Sequence, residues 1–469
     1  MGAGSNSSGL SWLGIFRMGL VQTALGAIVV LTTSTMNRVM VVELALPAML
    51  PGALVAFHYT LQFLRPRWGY GADGGGRRRT PWIIGGTPWI IGGLALLALG
   101  GIGSSLATAL MVSHLAAGIV LGILSFALIG VGVGAAGTSL LAMLATHVAA
   151  SRRGAAATIV WLMMIAGFVI TTLTAGHYLD PFTVWRLVGV TSAISVIAFL
   201  LASVALTGVE QDGARVTGAS KAEAVKPPFR QALGEVWADA QARRFTIFVF
   251  VSMLAYSMQD LILEPFAGLV FGLTPGETTK LSGVQNGGVF CGMLLVALAG
   301  SAGLGIGTLR TWAIAGCLAS AVALSGLIAA GASGPPWPLK PTVFALGAAN
   351  GAFAVAAIGS MMGLAASGVK SREGVRMGMW GAAQAVAFGA GGFTGAVLSD
   401  LLRALGADPV VAYTAVFGGE AVLFIAAARL AMTAIGEAQS PAASEGLAST
   451  HDGAPDYGGP HRATALGPG

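Results

Sequence analysis

Apolar runs of about twenty residues follow one another along nearly the whole chain, broken by short stretches that are polar or basic. As a helix, a run of that length crosses a hydrocarbon core about 30 Å thick. Hydropathy windows of about 19 residues place twelve such helices, starting near Met18, Leu46, Trp89, Gly118, Ala155, Val184, Thr246, Leu281, Thr311, Pro341, Val375 and Val410. The pattern predicts an all-α membrane protein. Its longest polar interruption, Val209 to Arg244, leaves six spans on either side. The expected organisation is a six-helix bundle over 1–208, a cytoplasmic linker over 209–245, a second six-helix bundle over 246–436 and a disordered cytoplasmic tail over 437–469. Within the linker, Phe229, Leu233, Val236 and Trp237 recur at helical spacing and predict an amphipathic helix lying on the membrane surface. The tail is rich in Gly, Ala, Pro and Ser and has too little apolar surface to form a core.

Composition excludes a water-soluble globule: 55% of the 469 residues are hydrophobic and 9% charged, against about 25% charged in an ordinary soluble domain. The 70 glycines suit a bilayer, where small residues let helix backbones approach closely. With the N-terminus in the cytoplasm, every Lys and Arg falls on the cytoplasmic side except Arg38, Arg186, Lys280, Lys340 and Arg403. The positive-inside rule therefore predicts that both termini are cytoplasmic, and topology accounts for the net charge of +6 without a nucleic-acid partner. Cys291 and Cys317 fall inside predicted spans and read as small apolar residues. No cleavage site is recognisable in the N-terminal stretch, so the first apolar run is expected to be a retained span.

The loop after the second span reads GYGADGGGRRR, with Gly69, Asp73, Gly76, Arg77 and Arg78 in a G-x-x-x-D-x-x-G-R-R arrangement. The glycines permit a tight turn, and Asp73 can pair with the arginines and face the positive end of a neighbouring helix. The loop resembles the signature loop of the major facilitator superfamily. In the second half, GSAGLGIGTLR keeps Gly300 and Gly307 at the same spacing but has Leu304 in place of the acid, as a decayed duplicate would. The segments from Thr33 to Gly86 and from Gln259 to Gly268 (QDLILEPFAG) more narrowly resemble the PucC and LhaA family, the bacteriochlorophyll-delivery branch of the superfamily. That resemblance implies a major facilitator fold and a non-enzymatic role in assembling light-harvesting antennae, LH1 or LH2, in a bacterial inner or intracytoplasmic membrane. The implied partners are antenna polypeptides and the pigment-synthesis machinery, with bacteriochlorophyll as cargo and no covalently held cofactor. A secondary transporter of a small solute and a tetrapyrrole flippase remain the alternatives.

Candidate functional residues form two corresponding clusters. Asn37, Arg38 and Glu43 sit at the outer end of the first span, and Gln259, Asp260 and Glu264 at the outer end of the seventh. Asp260 and Glu264, four apart, would share a helix face and line a cavity or receive a basic partner. His58 is the histidine well inside a span; a neutral imidazole can ligate the magnesium of a chlorophyll, and a structural histidine satisfied by a neighbouring helix is the competing reading. Gln384, Asp400 and Glu420 add polarity to the last two spans, but their scatter is unlike a concentrated sugar or ion site. The sequence TPWIIGG occurs twice, at 80–86 and 87–93, and one copy is enough for the third span. No nucleophilic triad, nucleotide-binding loop or metal-ligand spacing is recognisable in the sequence.

Overall fold

The computed structural model describes residues 10–62, 87–149, 152–209, 229–301, 306–366 and 373–435. The first six helices are α1 (Trp12–Glu43), α2 (Met49–Leu61), α3 (Thr87–Met111), α4 (Leu115–His147), α5 (Arg153–Tyr178) and α6 (Val184–Leu206). The second six are α7 (Ala240–Phe271), α8 (Pro275–Ser301), α9 (Leu309–Ser333), α10 (Leu339–Ala366), α11 (Glu373–Ala404) and α12 (Pro409–Ala434). Eleven are long and apolar enough to cross a membrane, and α2 is the shorter twelfth. The helices alternate in direction, so one side of the bundle, the near side, carries the start of α1, and the other is the far side. Helix starts follow polar caps: Ser11 accepts from the Gly14 amide, Asp239 from Gln241 and Ala242, and Asp408 from Val410 with Pro409 at the first helical position.

Each half has its own apolar core. One is built from α1 to α6, with Leu261 of α7 as its single buried residue from the other half, and the second from α7 to α12. The halves meet where α5 packs along α8 and α2 along α11. Ile165 of α5 lies against Val289 and Met293 of α8, and Tyr59 of α2 against Phe388 of α11 with ring centroids 5.7 Å apart. Within the second half, α8 and α10 interlock through two glycine pairs, Gly288 with Gly292 and Gly347 with Gly351. A methyl group on any of the four would overlap backbone of the facing helix.

α1 and α7 are irregular at corresponding places. α1 widens into π turns at Leu31–Thr35 and Val39–Glu43, and α7 tightens into a 3₁₀ turn at Gln259–Leu261. The first π turn is a hydroxyl run, LTTST, in which Thr32 and Thr33 both donate back to the Val29 carbonyl at 2.8 and 3.0 Å. Such back-bonding competes with the helical ladder.

Ahead of α7 lies the helix Phe229–Ala238, its Val236 buried against the second core and its Trp237 exposed. α7 starts at Ala240, six residues before the sequence-based start, because Asp239 caps it. The second TPWIIGG copy opens α3 at Thr87. The first copy, the signature-loop residues Gly69, Asp73, Gly76, Arg77 and Arg78, and the tail lie outside the described residues.

Candidate functional site at the seam of the two halves

The irregular turns of α1 and α7 face one another, and on the far side they carry a clasp of polar contacts between the halves. Ser34 donates to the Glu264 carboxylate and lies 2.9 Å from Ser282 of α8; Thr35 meets Thr279 at 3.1 Å. Asn37 donates to the Leu261 carbonyl at 2.6 Å. Arg38, 2% exposed, donates to Glu43 at 2.5 Å and across the seam to the Leu273 carbonyl at 2.8 Å. At the flanks, Asp180 accepts from Thr274 and from the Gly276 amide, and Asp400 of α11 accepts from the Met49 amide of α2 at 2.7 Å. A vestibule of about 570 Å³ opens beside the clasp, with Arg38, Glu43, Asp180 and Glu277 in its wall. In a low-dielectric interior the buried bonds of Ser34, Thr35 and Asn37 are worth more than in water, and each buried group left without a partner costs more.

Five of the six sequence candidates at the outer ends of α1 and α7 come together here, in or beside this clasp. Asn37, Arg38, Glu43 and Glu264 are members, and Gln259 is buried beside it with neither amide atom partnered among the described residues. The sixth, Asp260, faces a separate small cavity. Asp260 and Glu264 are thus directed to different surroundings, because the 3₁₀ turn interrupts the regular helix on which the four-residue spacing was read. Sequence reading missed Ser34, Thr35, Thr279 and Ser282. Their signal was available: TTST and TTKLS are hydroxyl-rich runs at matching ends of α1 and α8.

His58 is 1% exposed; its Nδ1 lies 2.7 Å from the Val55 carbonyl and its ring 4.0 Å from that of Tyr59. In this arrangement the imidazole is enclosed by protein. Glu420 of α12 is fully buried with both carboxyl oxygens unpartnered among the described residues, whereas Gln384 is half-buried. Among the described residues no three His, Cys, Asp or Glu side chains gather as a metal site.

A family profile described as PUCC protein matches residues 35–439. The "Bacteriochlorophyll synthase 44.5 kDa chain" of Rhodobacter capsulatus is 52% identical over 440 residues, covering 93% of this chain and 99% of that one. "Protein PucC" of Rhodobacter capsulatus is 31% identical, covering 89% and 91% respectively. Among solved structures, a peptide transporter aligns with a TM-score of 0.65 at 12% identity, over 90% of this chain and 94% of that one. A D-xylose–proton symporter aligns at 0.63 with 15% identity, over 90% and 98%. At such identities the structural likeness speaks for the fold alone, which is that of the major facilitators. Sequence similarity across the whole membrane region speaks for more: this chain belongs to the PUCC protein family.

Proposed function

We propose that this protein is an assembly factor for bacterial light-harvesting complexes, one that presents bacteriochlorophyll to newly inserted antenna polypeptides and catalyses no reaction itself. The observation that carries the proposal is the near end-to-end match to a relative named for bacteriochlorophyll, joined by relatives named PucC. The word "synthase" in the first name fits the association with the pigment better than a catalytic step. Polar groups of the clasp bond across the seam, and the small cavity beyond them has Val55, Tyr59, Leu261 and Phe388 in its wall together with Thr33, Ser257 and Asp260. The near side is the cytoplasmic side in this proposal, by the distribution of Lys and Arg. The start of α1 and the end of α12 lie there, and the clasp closes the path from the opposite face.

His58 stays a candidate pigment ligand that would need a rearrangement of α2 to be uncovered. The signature loop, with Asp73 and Arg77 at its centre, is proposed to govern how the halves part on the cytoplasmic side. Gentle purification from a phototrophic host tests the reading. Co-eluting bacteriochlorophyll and antenna peptides are expected, with less pigment retained by His58→Ala if that ligand is used. A preparation that carries neither, yet drives gradient-dependent uptake of a small solute in proteoliposomes, would establish the transporter alternative instead.

A further inference from the structure

A cavity of about 30 Å³ lies in the seam at the meeting of α1, α2, α7 and α11, separate from the far-side clasp. Thr33 and Tyr59 line it from the first half, and Ser257, Asp260 and Phe388 from the second. Its volume is the share of about one water molecule in the liquid. A sugar, a peptide or a tetrapyrrole does not fit; a single small ion does.

The donor set is one-sided. Ser257 Oγ gives its proton to the Ala387 carbonyl at 3.0 Å, and Thr33 Oγ1 gives its proton to the Val29 carbonyl at 3.0 Å. What each hydroxyl still offers is a lone pair. The Asp260 carboxyl lines the same cavity, and among the described residues no side chain donates to it and no Lys or Arg pairs with it. An ionised carboxylate at membrane depth without a partner is strongly unfavourable.

The surroundings supply no positive charge. On α1, Arg38 is held by Glu43 and the Leu273 carbonyl. On α2, His58 turns to the Val55 carbonyl. On α7, Tyr256 interacts with Asp260 and Glu264 turns to Ser34, and on α12 Glu420, unpartnered among the described residues, lies within electrostatic reach of Asp260. On α11, Asp400 is engaged with Met49 at the far end. A second acid and no base leave the cavity short of one positive charge.

We infer that Asp260, with the hydroxyls of Ser257 and Thr33, forms a binding site for one small monovalent cation, H⁺ or Na⁺, between the two halves. The irregular turns build the site: the π turn Leu31–Thr35 carries Thr33, and the 3₁₀ turn Gln259–Leu261 carries Asp260. The lining comes from both halves, so the bound cation favours their closed arrangement, and parting the halves releases it.

The test uses the purified full-length chain. Its melting temperature is titrated with NaCl against choline chloride at constant ionic strength, and the infrared carbonyl band of protonated carboxyl groups is followed against pH. One of two results is expected: a saturable Na⁺-dependent rise in melting temperature, or a pH-dependent carboxyl band with no Na⁺ response. The first identifies sodium and the second the proton. Asp260→Asn should abolish the Na⁺ response or remove the Asp260 component of the band, leaving that of other buried acids such as Glu420, and Thr33→Val should weaken sodium binding by about tenfold or move the midpoint of the Asp260 component. If Asp260→Asn does not fold, Thr33→Val and Ser257→Ala carry the test. A wild-type protein with neither response, or variants that leave the response unchanged, would overturn the inference. Because the readout is equilibrium binding, its failure is distinguishable from failure of the assembly reading.

Discussion

Arg38 shows what a single side chain holds together here. It is buried, yet it bonds to Glu43 and to the Leu273 carbonyl, and so ties α1 to the far end of α7. Arg38→Gln leaves Glu43 without its partner and the carbonyl without its donor, and should cost about 3 kcal/mol. Glu43 is about one third exposed, so water can replace it, and Glu43→Gln should cost about 1 kcal/mol or less. Thermal denaturation of the two variants in detergent checks the ranking; equal losses would contradict it. Both residues were legible in the sequence as polar groups at a helix end. The partner of Arg38 across the seam was not, because the Leu273 carbonyl becomes available where α7 has ended at a left-handed Gly272, which a hydropathy pattern does not record.

At the scale of elements, the order and number of helices followed from apolar run length alone, and most starts fell close to the observed caps. The exceptions have local causes. α1 begins at Trp12 because Ser11 caps it, although its apolar run gathers strength only later, and α7 at Ala240 and α8 at Pro275 begin early for the same reason, capped by Asp239 and Thr274. Glycine content predicted close packing, but which glycines touch depended on the α8–α10 crossing. Gly347→Ala or Gly292→Ala should destabilise the second half by about 1–3 kcal/mol, since each methyl group would overlap a backbone carbonyl. Gly381→Ala, where nothing stands within 4 Å, should be neutral. Fluorescence-detected size exclusion of the three variants separates them, and a loss from Gly381→Ala equal to the others would refute the packing argument. The doubled TPWIIGG gives a second element-scale test. Gly93 packs against Gly132 and Ala136 of α4; on deletion of 87–93, Gly86 of the first copy takes the same place in the sequence repeat. Seven residues rotate a helix by only about 20°, so the deleted protein should retain wild-type folded yield, and its loss would show that the second copy has a role of its own.

Over the whole molecule, the polar contacts described between the halves lie on the far side, where Leu261 of α7 enters the first core and Ala396 of α11 packs with Val41 and Ala48. If pigment handling requires the halves to part, locking that side should stop it. Thr35→Cys with Thr279→Cys, whose hydroxyls lie 3.1 Å apart, in a background lacking Cys291 and Cys317, should form a cross-link on oxidation and lose antenna-assembly activity until reduced. Full activity of the oxidised form would mean that the closed arrangement is itself the working state. The central claim is tested most directly by the absorption spectrum of membranes from a host strain lacking this protein and its paralogues. The account predicts a light-harvesting band that is depleted while reaction-centre absorption persists, and that returns with the wild-type gene. Normal antenna absorption in that strain under phototrophic growth would contradict it.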